Sequence, residues 1–295
     1  MMENVFDDNY EYENIELLPH ALFVKIKAVY GSLKSAERRV ADLMLKNFDN
    51  VRGLNISEVS DLAGCSEATV FRFSKRLGYE NFVEFKKDCL QEATSNNVLN
   101  IFSANESPLS ILKKTVDISI QSLQDTLVML DEKQFCMACE VLKNANRIVS
   151  FGIGDAAFVA ESLYSKLLRI NKETYTSVDI DFIDVICSHL EEGDALVCFS
   201  HSGASKKVIQ VAKLAQKRGA TVIAITNYPL SQLAKVADIA LFTASFAESV
   251  EGEIISKRLP ELCIAESLFV SILMDNQKYE DALKQSVRSV EHNKI

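Results

Sequence analysis

Residues Ile56 to Gly78 read ISEVSDLAGCSEATVFRFSKRLG. The stretch predicts two short helices joined by a tight turn. Ser57 is suited to cap the first helix, and its apolar positions Val59, Leu62 and Ala63 fall on one face. Gly64 follows at once, where the chain needs a left-handed residue that a side chain would strain. Ser66 is suited to cap the second helix, and Val70, Phe73 and Leu77 make its inward stripe. Gly78 supplies the stop. This spacing lets two helices close around one small core as a helix-turn-helix, with the second offered to a DNA major groove.

The outward residues of the second helix suit that task. Ser66, Glu67, Ala68 and Thr69 stand at its start, nearest the groove floor in this docking mode. Phe71, Arg72, Lys75 and Arg76 stand on its flank. Arg72 has the reach and fork geometry for a guanine edge, Thr69 or Ala68 suits a thymine methyl, and Lys75 or Arg76 suits a phosphate. A plain helical hairpin with a solvated charged face would show the same period, so the flanking chain has to decide.

The chain has 295 residues, enough for two domains, with 48% hydrophobic and 25% charged residues. No apolar run is long enough to span a bilayer, and the acidic N-terminus shows no signal-peptide pattern. Seven scattered cysteines fit reduced thiols and a cytoplasmic location. Cys136 and Cys139 form a CxxC on a predicted helix. No second pair offers further ligands, so no metal and no cofactor is expected. The net charge is −9, but it is unevenly spread. The first twenty residues hold six acids (Glu3, Asp7, Asp8, Glu11, Glu13, Glu16) and no Lys or Arg, whereas Lys34 to Glu92 balances ten against ten. A small operator-reading surface on an acidic body fits this pattern; a broad field for nonspecific DNA binding does not.

In order, residues 1–20 read as an acidic leader and 21–93 as an all-α helix-turn-helix bundle. Its other helices are predicted over Pro19–Tyr30, after Ser35 (buried stripe Val40, Leu43, Met44 and Phe48) and after Asn81 (Phe82, Phe85 and Leu90 inward). Residues 94–107 read as a linker. Residues 108–275 begin with a long helix whose Leu109, Leu112, Val116, Ile120, Leu123, Leu127 and Leu130 recur at threes and fours. That stripe suits dimerisation or packing on the domain that follows. The period then changes to short β runs alternating with helices: 147–151, 173–178, 195–199, 221–226 and 239–242. This is an α/β domain with a parallel five-stranded sheet flanked by helices. Residues 276–295 read as a polar tail.

Right-handed crossovers place all strand C-termini on one edge, where ligands bind. Two loops fall there. Gly152, Gly154 and Asp155 follow the first strand as GIGDA, a GxG without the third glycine of a dinucleotide fingerprint. Ser200, His201, Ser202, Gly203 and Ser205 lie in SHSGAS, between a strand and a helix. Hydroxyls, a permissive glycine and free helical N–H groups at a positive dipole end suit a phosphate monoester, with Lys206 and Lys207 nearby.

Residues 33–92, through SAERRVADLML, ISEVSDLAG, SEATVFRFSKRLGY and FVEFK, resemble the N-terminal domain of RpiR/MurR-type transcriptional regulators. Residues 130–275, through RIVSFGIGDA, GDALVCFSHSGAS and GATVIAIT, resemble the sugar isomerase (SIS) domain that follows it in that family. The resemblance implies a regulator of sugar catabolism that acts as a homodimer or homotetramer on palindromic operator DNA, its affinity controlled by a phosphosugar effector. It assigns phosphate binding to Ser200, Ser202 and Ser205, with main-chain help from His201 and Gly203. Many SIS domains place a phosphate-holding serine where this chain has Ala156, and Asp155 beside it brings a negative charge toward the phosphate or binds a sugar hydroxyl.

The competing expectation is a sugar-phosphate isomerase with an accessory helical domain. Aldose–ketose isomerisation needs a positioned base, usually Glu or His. The chain has four histidines, His20, His189, His201 and His292, and Glu261 and Glu266 on an apolar helix. They suggest no clear acid–base pair, and an enzyme would leave the helix-turn-helix idle. A binder without catalytic residues is the expectation.

Overall fold

The computed structural model describes residues 22, 25–26, 29–30, 33–95, 102, 106–229, 231–245 and 254–293, with the side chains of 46–50 and 91–95 outside the description. The acidic leader, Phe48 of the predicted stripe, most of the helix expected over 19–30 and most of the linker lie outside the described residues. The chain divides into two compact units, Met1–Asp117 and Ile118–Ile295. The division falls inside the long helix rather than at Pro108.

In the second unit five strands form one parallel sheet: β1 (Ile148–Gly152), β2 (Thr174–Tyr175), β3 (Ala195–Phe199), β4 (Thr221–Thr226) and β5 (Ile239–Phe242), in the order β2-β1-β3-β4-β5. The central runs are apolar throughout because both faces are covered. Alternate side chains enter two different cores. Ala195, Val197, Phe199, Ile223 and Ile225 pack on one face with helices α6 (Glu132–Asn144), α7 (Ala156–Arg169) and α11 (Arg258–Leu273). Leu196, Cys198, Val222 and Ala224 pack on the other with α8 (Ile180–Ser188), α9 (Lys206–Lys217) and α10 (Gln232–Val236). The strand order reverses between β1 and β3, so the loops after these two strands diverge and leave a crevice at the sheet's C-terminal edge. Gly152 pairs with Phe199 there, which brings both predicted ligand loops to one place.

The expected polar tail is instead mostly helix. α12 (Gln277–Ser289) starts at Asn276, whose side chain accepts from the Lys278 N–H. Tyr279 belongs to the core under α7 and α11. One aromatic ring in an otherwise polar stretch docks this helix, and that ring was the missed signal.

In the first unit the described elements are all helices. α1 (Ser35–Val51), α2 (Ile56–Leu62), α3 (Glu67–Arg76) and α4 (Phe82–Ser95) enclose Val40, Met44, Val59, Ala63, Val70, Phe73, Leu77 and Phe85. The turn glycines behave as expected: Gly64 has φ +60° and Gly78 has φ +92°. Four details differ. Ser66 stands at the N-cap of α3, but its side chain makes no capping bond and meets the Thr69 hydroxyl instead. Asn55, not Ser57, caps α2, through a reciprocal pair with Glu58 (2.7 and 3.0 Å). Leu62 is 61% exposed, because Val59, Ser60 and Ala63 carry the buried face of this short helix and Leu62 falls outside it. Cys89 takes the buried place predicted for Leu90, which is exposed.

The long helix α5 (Pro108–Met129) buries Ile118, Ser122, Thr126 and Met129. The predicted apolar stripe, Leu109, Leu112, Val116, Ile120, Leu123 and Leu127, is exposed on the single chain. The seven cysteines are all free thiols, with Cys136 exposed and Cys139 buried. Among the described residues no helix is long and apolar enough to cross a membrane.

Candidate functional site

The first unit presents α3 on its surface. Ser66, Glu67, Ala68, Phe71, Arg72, Lys75 and Arg76 are all exposed. Thr69 departs from expectation: it is 4% exposed and cannot present its methyl to a base. Its hydroxyl lies 3.0 Å from that of Ser66 and receives the Arg72 guanidinium at 3.3 Å. Thr69 therefore braces the Arg72 guanidinium from inside the helix. Arg76 meets the nearly buried Glu37 of α1 at 3.2 Å, and Glu37 also accepts the Lys34 N–H at 2.9 Å. That pair ties α3 to α1. Arg39 donates to the carbonyls of Ala63 and Gly64 at 2.9 and 2.7 Å, which locks the turn between α2 and α3. Lys34, Thr69, Arg72, Lys75 and Arg76 line a shallow cleft of about 470 Å³, so the basic groups converge on one side of α3.

In the second unit a cleft of about 300 Å³ opens at the β1/β3 crevice. Its lining includes Ser200, His201, Ser202 and Ser205 from the loop after β3, with Ile153 and Ala156 from the loop after β1. The loops need their glycines. A Cβ on Gly152 would lie 2.6 Å from the Ala156 carbonyl oxygen. Gly203 has φ +58°, and a Cβ there would lie 2.2 Å from the Ser231 hydroxyl. Gly154 turns the first loop at φ +64°. The second loop is held from behind. Gly203 N–H donates to Ser200 O at 3.0 Å, and Asn227 N–H and the Thr226 hydroxyl donate to His201 O at 2.9 and 3.1 Å. His201 lines the cleft, and its ring stands edge-on to Tyr228 at 5.7 Å.

Three helix N-termini border this cleft. They belong to α7 (N-cap Asp155), α9 (N-cap Ser205) and α11 (N-cap Lys257), and none of the three N-cap side chains makes a capping bond. Uncapped first turns present N–H donors and the positive ends of helix dipoles, a natural anion site. Lys257 and Arg258 also line the cleft, and the sequence reading missed both. Their signal was present in the sequence. Two cations at a helix start oppose the dipole, an arrangement that a nearby anion makes favourable. Lys206 and Lys207 do not line the cleft, and Lys207 pairs with Asp184 of α8 at 2.5 Å.

Asp155 stands half-exposed at the rim. It meets Lys257 at 3.2 Å and Arg258 at 3.0 Å. Burial alone would raise its carboxyl, but Arg258 and then Lys257 outweigh that and hold it below the ordinary carboxylate range. Behind the cleft wall Arg258 also pairs with the fully buried Glu261. Burial pushes Glu261 up to about 7 against the pull of Arg258. Glu266 points elsewhere, to Lys166 of α7 at 2.6 Å.

Comparison with known proteins agrees with both units. Residues 21–96 match the helix-turn-helix domain of the rpiR family, and residues 141–271 match the SIS domain. An uncharacterised HTH-type transcriptional regulator from Haemophilus influenzae is 28% identical over 90% of this chain and 94% of its own length. Another from Thermotoga maritima is 29% identical over 89% and 95%. Among solved structures, the Vibrio vulnificus NanR protein complexed with ManNAc-6P is 25% identical, with TM-score 0.61 over 92% of this chain and 98% of that one. The sugar isomerase domain of an RpiR transcription factor from Sphaerobacter thermophilus shares the fold at 19% identity, with TM-score 0.54 over 63% of this chain and 98% of that one. With a groove-sized helix presented by one unit and a SIS sheet in the other, in that order, the chain belongs to the RpiR family of helix-turn-helix transcriptional regulators.

Proposed function

We propose that this regulator binds a palindromic operator as a homodimer or homotetramer in the cytoplasm, and that a phosphorylated sugar in the SIS cleft changes its operator affinity. The convergence of three uncapped helix N-termini on a serine-lined cleft carries the effector reading. The full-length likeness to a regulator solved with ManNAc-6P supports it. The exposed apolar stripe of α5 supports self-association, since such a face favours burial against a second copy. The regulated pathway is read as carbohydrate metabolism on the same likeness. We read the cleft as a binding site and not an isomerase site. The relatives that this chain resembles over most of their length are HTH-type transcriptional regulators, and Glu261 is fully buried against Arg258.

The mechanism is a population shift between arrangements of the oligomer. A coupling of ~1–3 kcal/mol between effector and DNA changes operator affinity about 5- to 150-fold. Replacing both Ser202 and Ser205 by Ala removes two cleft hydroxyls without touching the core. The double variant should bind operator like wild type but no longer respond to sugar phosphates. Gel-shift titration with a panel of hexose and amino-sugar phosphates measures this; a wild-type response places the effector elsewhere.

Arg72 is the base-reading candidate on α3. With the operator first selected from random duplexes, Arg72→Ala should weaken specific binding by ~1–3 kcal/mol and relax the preference at one position per half-site. An unchanged affinity and footprint would remove Arg72 from the reading set.

A further inference from the structure

The rim of the cleft contains a charge arrangement that the effector reading does not require. Asp155 occupies the N-cap of α7, where its side chain makes no capping bond. It reaches across to the start of α11 and engages both cations there, Lys257 at 3.2 Å and Arg258 at 3.0 Å. Those cations line the same cleft as Ser200, Ser202 and Ser205. They are well covered, at 18% and 21% side-chain exposure, while the Asp155 carboxylate is 48% exposed. The cations thus form part of the cleft wall, and the carboxylate is the more exposed partner. Next to Asp155 stands Ala156, which has no hydroxyl to offer a phosphate.

We propose that Asp155 is a tethered counter-anion: it holds Lys257 and Arg258 in the empty cleft, and an incoming phosphoryl group displaces it to take the same two cations. This rests on the effector reading of the cleft and adds a regulation to it. A carboxylate and a phosphate monoester compete for the same guanidinium and ammonium donors. The phosphate carries more charge and more acceptor oxygens, so it wins once bound, but each binding event must first break two ion pairs. Asp155 therefore lowers effector affinity and sets the concentration at which the switch responds. Glu261 keeps its contact with Arg258 throughout and fixes the guanidinium while its outer face changes partner.

The test is calorimetric titration of the full chain with inorganic phosphate. Asp155→Asn keeps the shape and removes the charge, and it should bind phosphate roughly tenfold tighter than wild type. Adding Ser202→Ala and Ser205→Ala to that variant should remove the gain. If Asp155→Asn binds no tighter while the serine changes still weaken binding, the cleft takes phosphate and the counter-anion idea is overturned. If the serine changes have no effect on phosphate binding in either background, the effector reading itself fails. A second variant guards against misfolding. Lys257→Met should weaken phosphate binding roughly tenfold in the wild-type background, and an unchanged affinity would also overturn the proposal.

Discussion

Gly152→Ala should destabilise the SIS unit by about 3 kcal/mol or more, a large effect for one methyl group. The added Cβ would sit 2.6 Å from the carbonyl oxygen and 2.7 Å from the carbonyl carbon of Ala156. Both atoms are backbone in the first turn of α7, so no side-chain rotation relieves the clash. The helix has to move as a body, and it carries Val159, Ala160, Leu163 and Leu167 into the core. It is also tied to β1 through the Ser150 hydroxyl, which donates to Ala160 O at 2.8 Å. Gly154→Ala is the comparison. It has φ +64° but nothing within 4 Å of a new Cβ, so it carries only left-handed strain of ~1–2 kcal/mol. Urea unfolding of both variants measures the difference. Equal losses would mean that the close approach of β1 and α7 is not what requires a glycine at 152.

The second large effect is expected from Phe73→Ala. Phe73 is fully buried, and its ring stands edge-on to Phe85 at 6.1 Å, which in turn meets Tyr79 at 5.4 Å and Phe82 at 5.7 Å. Truncation should cost ~3–5 kcal/mol. A small helical bundle has little more than that to lose. Phe73 follows Arg72 directly on α3, one inside and one outside, so loss of the ring removes the platform that orients the guanidinium. The expected result is lost operator binding, loss of the helical unit's thermal transition, and retained sugar-phosphate binding. Wild-type operator affinity in this variant would show that the aromatic cluster does not hold α3.

Much of this was legible because it is local. The two turn glycines and the spacing of Val70, Phe73 and Leu77 specify the helix-turn-helix within a couple of dozen residues. The strands at 195–199 and 221–226 were readable to the residue because burial on both faces makes them uniformly apolar. What stayed hidden depends on residues distant in sequence. Thr69 looks like any N-terminal helix residue until its neighbours turn it inward. Lys257 and Arg258 gain meaning only when α11 starts beside the loop after β1, about a hundred residues earlier, and the loop after β3, about fifty residues earlier. Helix capping shows the same division. Asn55, Asn81, Asp131, Asp179, Ser231 and Asn276 accept first-turn N–H groups of their own helices. The N-caps of α3, α7, α9 and α11 do not. These are the exposed second helix of the helix-turn-helix and the three helices around the cleft, so sequence rules for capping work best away from the two candidate sites.

The sheet's two margins bear on whether a further strand can add to it. β2 is two residues long and gives an incoming strand almost nothing to pair with. On the opposite side, the Ala240 N–H of β5 donates to the Gln134 side chain at 3.4 Å, and just beyond the strand the Ala244 N–H donates to Thr126 at 2.9 Å. Stray main-chain donors are thus occupied by side chains from α5 and α6. Among the described residues both margins of the ladder are therefore poor templates for a further strand.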